Sequence, residues 1–177
     1  MTQVVLGLGS NRGDTQRDSS RIVLDAIAEL GKFLTELRSA SLYVTDPLYV
    51  TDQARFINTV VCGYYPDLNT RASSDIQTAR ELLYCIHYIE SRFGRDRVHE
   101  RRWGERLLDI DILLFGDLVL NESDLIIPHP RLNERRFALE PLLELLPDAA
   151  EPGTGLSYRS ICEALPDQGV RLLLSTQ

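Results

Sequence analysis

Residues 101–117 read RRWGERLLDIDILLFGD and place two aspartates inside an apolar run. The leucine- and isoleucine-rich residues 107–115 predict a buried β-strand. Successive side chains of a strand point to opposite faces of the sheet, so Asp109 and Asp111 are expected to project side by side. The apolar residues expected on the opposite, core-facing side are Leu108, Ile110, Ile112 and Leu114.

Two neighbouring carboxylates repel each other, and burial without a partner would raise the pKa of both. A divalent cation removes both problems, and Mg²⁺ favours one or two carboxylates completed by water and phosphate oxygens. Arg101, Arg102 and Arg106 precede the pair, and metal ligands with arginines are what phosphoryl transfer requires. On this hypothesis the arginines meet the aspartates across phosphates. The alternative is a solvated strand face, or direct pairing of the aspartates with arginines.

The chain of 177 residues is acidic, with a net charge of −7, which argues against a partner such as nucleic acid or an anionic membrane. Residues 92–106 nevertheless hold six arginines and three acids. Arginine presents a planar fork of donors to phosphate, so together with the D-x-D pair this segment predicts a phosphate-binding loop. Taken alone, the segment favours the alternative of a solvated loop whose charges pair with one another.

Residues 1–177 are expected to form a single domain, since no repeat or Pro/Gly-rich linker divides them. No apolar run approaches the roughly 20 residues of a membrane-spanning helix, and the N-terminus does not resemble a signal peptide. The three cysteines form no CxxC pair, so we expect a reducing, cytoplasmic compartment. The expected oligomeric state is a monomer.

The pattern along the chain predicts four strands, at residues 4–9, 33–43, 56–65 and 107–115. A helix capped by Asp14 or Thr15 is expected to end near Leu30, and another is expected to begin at Ser73 or Ser74. The β-α-β-β-α-β order predicts an α+β, ferredoxin-like sandwich with a mainly antiparallel sheet and a C-terminal extension. Both helices are expected on one face of the sheet, which leaves the other face free for a site. The glycine-rich residues 7–13 do not predict a dinucleotide-binding fold, because this order contains no parallel βαβ array.

Residues 102–113, RWGERLLDIDIL, resemble the signature of the 6-hydroxymethyl-7,8-dihydropterin pyrophosphokinases, a family of the folate pathway. Over about residues 3–148, further stretches resemble the family in the same order: LGLGSNRGD, SLYVTDPL, FINTVV, IESRFGR and PHPRLNERRFALEPLLEL. The resemblance implies a ferredoxin-like fold. It also implies transfer of the pyrophosphoryl group of ATP to the hydroxymethyl group of 6-hydroxymethyl-7,8-dihydropterin, which releases AMP.

The same resemblance implies roles for individual residues. Asp109 and Asp111 match the ligands of two Mg²⁺ ions that bridge the ATP phosphates. The arginines that match catalytic positions over the triphosphate are Arg95, Arg97 and Arg106. The positions that match the ATP site are Glu90, Trp103, Ile112, His129 and Arg135. The positions that match the pterin site are Thr45, Leu48, Phe56, Asn58 and Phe137, with the two phenylalanines stacking on the ring.

Two other functions stay open on the residues alone. A non-catalytic ferredoxin-like module could bind RNA through aromatic side chains on an open sheet face, although the acidic charge argues against it. A different magnesium-dependent phosphotransferase could use the same scaffold. The pterin-dependent release of AMP distinguishes both from a pyrophosphokinase.

Overall fold

A six-stranded antiparallel sheet forms the centre of the computed structural model, which describes residues 1–47, 52–66, 75–95 and 104–174. The strands lie in the order β5-β1-β4-β3-β8, and β2 also pairs with β4. A small hairpin of β6 and β7 lies apart from this sheet. The strands are β1 (Thr2–Ser10), β2 (Thr35–Ser39), β3 (Leu42–Thr45), β4 (Phe56–Tyr65), β5 (Asp109–Phe115), β6 (Leu120–Asn121), β7 (Ile126–Ile127) and β8 (Arg171–Leu174).

Four α-helices flank the sheet, and a 3₁₀ turn at Leu132–Glu134 precedes the third. The helices are α1 (Ser19–Leu30), α2 (Asp75–Arg92), α3 (Arg136–Leu145) and α4 (Tyr158–Ala164). β2 and β3 together act as one interrupted strand along β4, so the element order confirms the predicted α+β, ferredoxin-like class. None of the helices in the described ranges is long and apolar enough to span a membrane.

The main core lies between the sheet and the helices α1 and α2. Apolar residues at helical spacing, such as Ile22 and Ala26 of α1 and Leu82 and Ile86 of α2, are fully buried there. They pack against alternate residues of the central strands, of which Leu6 is one. This side of the sheet is a continuous apolar layer, so polar side chains of β1 and β5 point the other way.

The other face of the sheet is only half open, which corrects the expectation of a free face. Helices α3 and α4 cover one end of it and form a second apolar cluster, with Leu139 and Tyr158 against Val60 and Leu113 of the sheet. The functional cleft occupies the uncovered end. Sequence periodicity does not reveal which face of the sheet α3 and α4 cover, because that depends on long-range packing.

Leu114 does not point to the core-facing side of the sheet as predicted, because β5 contains a bulge. Leu6 of β1 pairs with Ile112, but the next residue, Val5, pairs with Leu114, so Leu113 is the extra residue. The bulge reverses the alternation, and Leu114 packs in the α3–α4 cluster with Leu113. Leu108, Ile110 and Ile112 remain in the main core as predicted.

The predicted start of α1 is also wrong, by about one turn. Asp18 is the N-cap and accepts a hydrogen bond from the Arg21 backbone at 2.8 Å. Asp14 instead closes a preceding turn, because its carboxylate accepts from the backbone N–H groups of Gln16 and Arg17. The alternatives Ser73 and Ser74 for the start of α2 lie outside the described residues.

The C-terminal extension contains the helix α4 and ends in the strand β8. β8 pairs antiparallel with β3, at the edge of the sheet, with Val44 opposite Arg171. Just before it, Gly169 has a φ of +68° and would place a Cβ 2.8 Å from Oδ2 of Asp46. The strand is not evident from the sequence because its pairing partner is more than a hundred residues away.

Candidate active site

The cleft lies at the open end of the sheet, where β1, β3, β4 and β5 meet the start of α3. Predicted site residues from both halves of the chain converge there: Thr45, Phe56, Asn58, Arg106, Asp109, Asp111, Arg135 and Phe137 all line it. The wall also includes residues that the sequence does not single out, among them Gly7, Gly9, Asp46 and Gln53. The antiparallel sheet brings these segments together because the ends of β1 and β3 lie beside the starts of β4 and β5.

Asp109 and Asp111 both line the cleft from β5. Their partners across the sheet are Gly9 and Gly7 of β1, respectively. A glycine has no side chain above the sheet, which lets Oδ1 of Asn58 lie close over Gly9 and the side chain of Leu113 lie over Gly7, beside the carboxylates. The D-x-D pair is therefore an acidic site at the floor of an open cleft.

Asp109 makes direct ion pairs with two arginines. Nη1 of Arg95 donates to Oδ1 of Asp109 at 2.6 Å, and Nη1 of Arg106 donates to Oδ2. Burial alone would raise the pKa of Asp109, but Arg106 and Arg95 outweigh that effect and hold it below its usual value. The expectation that the arginines meet the aspartates only across phosphates is therefore wrong, and the alternative of direct pairing holds for Asp109.

Arg95 is held in place by Glu90 of α2. The guanidinium pairs with the Glu90 carboxylate, whose Oε1 also accepts a 2.9 Å hydrogen bond from the backbone of Ile110. Both side chains are buried, with 7% of Arg95 and 1% of Glu90 exposed. Glu90 does not line the cleft, so its part in the site is to connect α2, β5 and Arg95.

Asp111 has weaker polar partners than Asp109. Nη1 of Arg135 lies 3.3 Å from its Oδ2, and Nε2 of His129 lies 3.7 Å away. Burial and the nearby charge of Asp109 raise the pKa of Asp111 to about 6. The negative charge at Asp111 is therefore not fully compensated by the protein.

His129 presents a neutral ring to Asp111, 3.7 Å from its Oδ2, without itself lining the cleft. Burial and the charge of Arg135 lower its pKa to about 4, so the ring is uncharged near pH 7. Its Nδ1 accepts from the Arg131 backbone at 3.1 Å, which assigns the proton to Nε2, the atom near Asp111. His129 thus offers an N–H donor to an anionic oxygen.

The opposite wall carries an oriented amide and aromatic side chains. Nδ2 of Asn58 donates to Oγ1 of Thr45 at 2.7 Å, and both residues are buried. The bond leaves Oδ1 of Asn58 over Gly9, where an added Cβ would lie 2.8 Å from it. Phe56 and Phe137 line the same cleft. A flat ring with hydrogen-bonding edges fits these groups.

The structure does not place every predicted residue in the cleft. Ile112 faces the main core and is 5% exposed, so only its main chain could meet a nucleotide. Leu48, Arg97 and Trp103 lie outside the described residues.

Asn11 is a buried polar residue that the sequence analysis misses. Its Oδ1 accepts from the backbone of Arg106 at 2.8 Å, and its Nδ2 donates to Gln53 and to the carbonyl of Ala54. Asn11 therefore ties the end of β1 to the segments that carry Arg106 and Gln53. Its position directly after the glycines of β1 is the one signal that could have indicated it.

A divalent cation fits this donor set. Asp109 and Asp111 supply carboxylate oxygens on one side of a strand, and the raised pKa of Asp111 indicates negative charge that a cation would neutralise. Among the residues that the structure describes, no group of three or more His, Cys, Asp or Glu side chains could hold a metal. A cation at this site would therefore take further ligands from water or a bound phosphate.

The stability of the metal-free protein is expected to fall as the pH rises from about 4 to about 6. Folded Asp111 keeps its proton to about pH 6, whereas an unfolded aspartate releases it near pH 4, so the folded state binds more protons in this window. Since Asp111 is 38% exposed, solvent screening limits the effect to about 1 kcal/mol. Thermal unfolding in EDTA across this range should show the decline in the native chain and a smaller one in Asp111→Asn.

Paired carboxylates beside convergent arginines define the class of this site, which is suited to phosphoryl-group transfer. The model of the 7,8-dihydro-6-hydroxymethylpterin-pyrophosphokinase (HPPK) family matches residues 5–147. The chain belongs to this family, which confirms the resemblance seen in its sequence.

Individual relatives agree with the family. The chain is 37% identical over 173 residues to 2-amino-4-hydroxy-6-hydroxymethyldihydropteridine pyrophosphokinase of Pseudomonas aeruginosa, covering 97% of this chain and 96% of that protein. It is 36% identical over 172 residues to the folic acid synthesis protein fol1 of Pneumocystis carinii, covering 97% of this chain but 21% of the longer relative. A Plasmodium falciparum HPPK-DHPS crystal structure has the same fold, with a TM-score of 0.65, 16% identity, and coverage of 92% of this chain and 44% of that one.

Proposed function

We propose that this chain transfers the pyrophosphoryl group of ATP to the hydroxymethyl oxygen of 6-hydroxymethyl-7,8-dihydropterin. The pterin oxygen forms a bond to the β-phosphorus, the bond between that phosphorus and the α,β-bridging oxygen breaks, and AMP leaves. One observation carries the proposal: a single cleft joins an acidic pair and arginines to an amide and two aromatic side chains. Family membership supports the same reaction.

The arginines supply the phosphate-binding half. In the described part of the chain, Nε of Arg106 and Nε of Arg135 are buried without a hydrogen-bond partner. Buried donors are rarely left unpaired, so these two groups fit an anionic ligand that completes them. The Nε2–H of His129 adds a third donor. Bound phosphates would draw Arg95 and Arg106 from the carboxylate of Asp109, which then becomes available to a cation.

Two Mg²⁺ ions are proposed, held by Asp109 and Asp111, and they would neutralise phosphate charge and polarise the attacked phosphorus. The protein side chains position the reactants. Thr45 fixes the amide of Asn58, which would bind the polar edge of the pterin, while Phe56 and Phe137 cover its faces. Positioning of this kind converts a reaction between two molecules into one within a complex.

One incubation tests the proposed function directly. The chain is mixed with ATP, Mg²⁺ and 6-hydroxymethyl-7,8-dihydropterin, and the nucleotide products are separated and measured. AMP is expected to form in proportion to the pterin diphosphate, and omission of the pterin should stop it. ADP as the product would identify an ordinary kinase, and no pterin-dependent product would overturn the proposal. EDTA should abolish the reaction, and excess Mg²⁺ should restore it.

The replacement Gly9→Ala is expected to raise the KM for the pterin about tenfold or more. Its Cβ would lie 2.8 Å from Oδ1 of Asn58, so the amide must move and strain or lose its bond to Thr45. We expect a stability loss of about 1–3 kcal/mol as well, which is typical of overpacking. Initial rates over a range of pterin concentrations at saturating ATP provide the measurement.

Gly31→Ala is the matched control for this replacement. Gly31 has a helical φ of −61° at the end of α1, and an added Cβ there makes only ordinary to slightly tight contacts. It should leave the pterin KM unchanged. An unchanged KM in folded Gly9→Ala as well would contradict the role assigned to Asn58.

A further inference from the structure

Helix α3 begins without a capping side chain of its own. The residue at its N-cap is Arg135, with φ −115° and ψ 93°, and its side chain makes no capping hydrogen bond. An arginine has only donors, so it cannot accept from the free N–H groups at the start of a helix. The position where a cap would stand is thus taken by a side chain that points into the cleft.

Gln168, from the C-terminal extension, supplies the missing acceptor. Its Oε1 accepts from the backbone N–H of Arg136 at 2.9 Å, and its Nε2 donates to the backbone carbonyl of Glu134 at 2.9 Å. One carboxamide therefore binds a peptide group on each side of Arg135. The guanidinium of Arg136 adds a 2.9 Å bond to the carbonyl of Leu165, which holds the same two segments together.

The backbone that Gln168 binds directs two side chains of the cleft. Arg135 lies 3.3 Å from Asp111 through Nη1, and its Cζ lies 5.6 Å from the ring centre of Phe137. A small rotation of the peptides around Arg135 would therefore move a phosphate-binding donor and an aromatic wall together. Tight geometric tolerance is typical of sites that act by positioning.

The same C-terminal segment also contacts the opposite wall. Gly169 follows Gln168 directly and packs against the carboxylate of Asp46, which lines the cleft. Beyond it, β8 continues along β3, whose last residue is Thr45. Residues 165–174 therefore contact both the start of α3 and the end of β3.

We propose that Gln168 is a positioning residue that sets the orientation of Arg135 and Phe137 and so contributes to the binding of both substrates. The inference deepens the proposed function and rests on it. Gln168 lies beyond residues 5–147, the part matched by the family model, so the role belongs to the C-terminal extension.

The test compares variants of the full chain. Gln168→Met keeps the side-chain size but removes both hydrogen bonds, and Gln168→Glu keeps an acceptor for the Arg136 N–H. Glu163→Gln, at an exposed position of α4, is the control. We expect Gln168→Met to raise the KM for ATP and for the pterin about tenfold with kcat changed less than threefold. Gln168→Glu should recover KM values within about threefold of the native chain.

Calorimetric binding of a non-cleavable ATP analogue with Mg²⁺ provides a second readout that needs no turnover. Affinity should fall about fivefold in Gln168→Met and stay unchanged in Glu163→Gln. Native KM values and affinity in folded Gln168→Met would overturn the inference, as would equal losses in the Met and Glu variants. If Gln168→Met does not fold, Gln168→Asn, whose amide is one methylene too short, replaces it with the same expectations. No pterin-dependent AMP from the native chain would instead overturn the proposed function, while the calorimetry still tests Gln168.

Discussion

Asp109→Asn and Asp111→Asn are each expected to lower kcat at least about 1,000-fold while the chain stays folded. Each replacement removes one carboxylate charge from the only acidic pair that lines the described cleft. The loss of a group that stabilises developing charge typically costs about 100- to 1,000-fold, and a bound metal adds several kcal/mol to that stabilisation. Rates of AMP formation at saturating substrates and Mg²⁺ provide the measurement.

The two replacements should change the melting temperature in opposite directions, because the charges around Asp109 and Asp111 differ. Asp109→Asn leaves Arg106 and Arg95 with a neutral partner, so its melting temperature should fall. Asp111→Asn relieves repulsion from Asp109, so in EDTA near pH 7.5 its melting temperature should rise by about 2 °C. Asp117→Asn, an exposed site just after β5, should change neither property. Full magnesium-dependent activity in both Asp109→Asn and Asp111→Asn would reject the metal site.

Arg95→Met is expected to lower the free energy of unfolding by about 3 kcal/mol. The carboxylate of Glu90 is 1% exposed, and removal of the buried arginine leaves its charge poorly compensated. Urea unfolding at pH 7 measures the change. Arg21→Met is the control, because Arg21 pairs with Asp25 on the surface and is 66% exposed, so its loss should cost at most about 0.5 kcal/mol.

A second replacement separates charge from packing. Adding Glu90→Gln to Arg95→Met removes the uncompensated charge and should recover at least about 1 kcal/mol. Turnover should stay low in the double variant, because the arginine that would bind phosphate is still absent. If Glu90→Gln destabilises the Arg95→Met chain further, burial of the charge is not the cause of the loss.

The central strands and the first two long helices follow from local pattern. The strand predicted at residues 56–65 matches β4, because β-branched and aromatic residues there fit a buried sheet wherever the rest of the chain lies. Leu114 shows the limit of this reasoning. The bulge at Leu113 decides to which face of the sheet Leu114 points. A bulge arises from the register of one strand against another, which local sequence does not contain.

The kinds of side chain in the site could be predicted from the sequence, but the contacts between these side chains could not. The D-x-D spacing places two carboxylates on one face, since alternation is a local property of strands. The motif does not show that Arg95 pairs with both Glu90 and Asp109. The three residues lie on different segments of the chain, and only the fold brings them together. No sequence pattern indicates the role of Gln168, since a single glutamine near the end of a chain belongs to no characteristic motif.

The sequence by itself determined the kinds of group available: an acidic pair on one strand face, arginines before it, glycines in the first strand and an aromatic residue on another strand. These follow from periodicity and side-chain chemistry, which act within a few residues. The tertiary structure alone decided which half of the second sheet face stays open, which carboxylate the arginines neutralise and which residue caps α3. Those features depend on distances between segments far apart in the chain, and only the packed fold defines such distances.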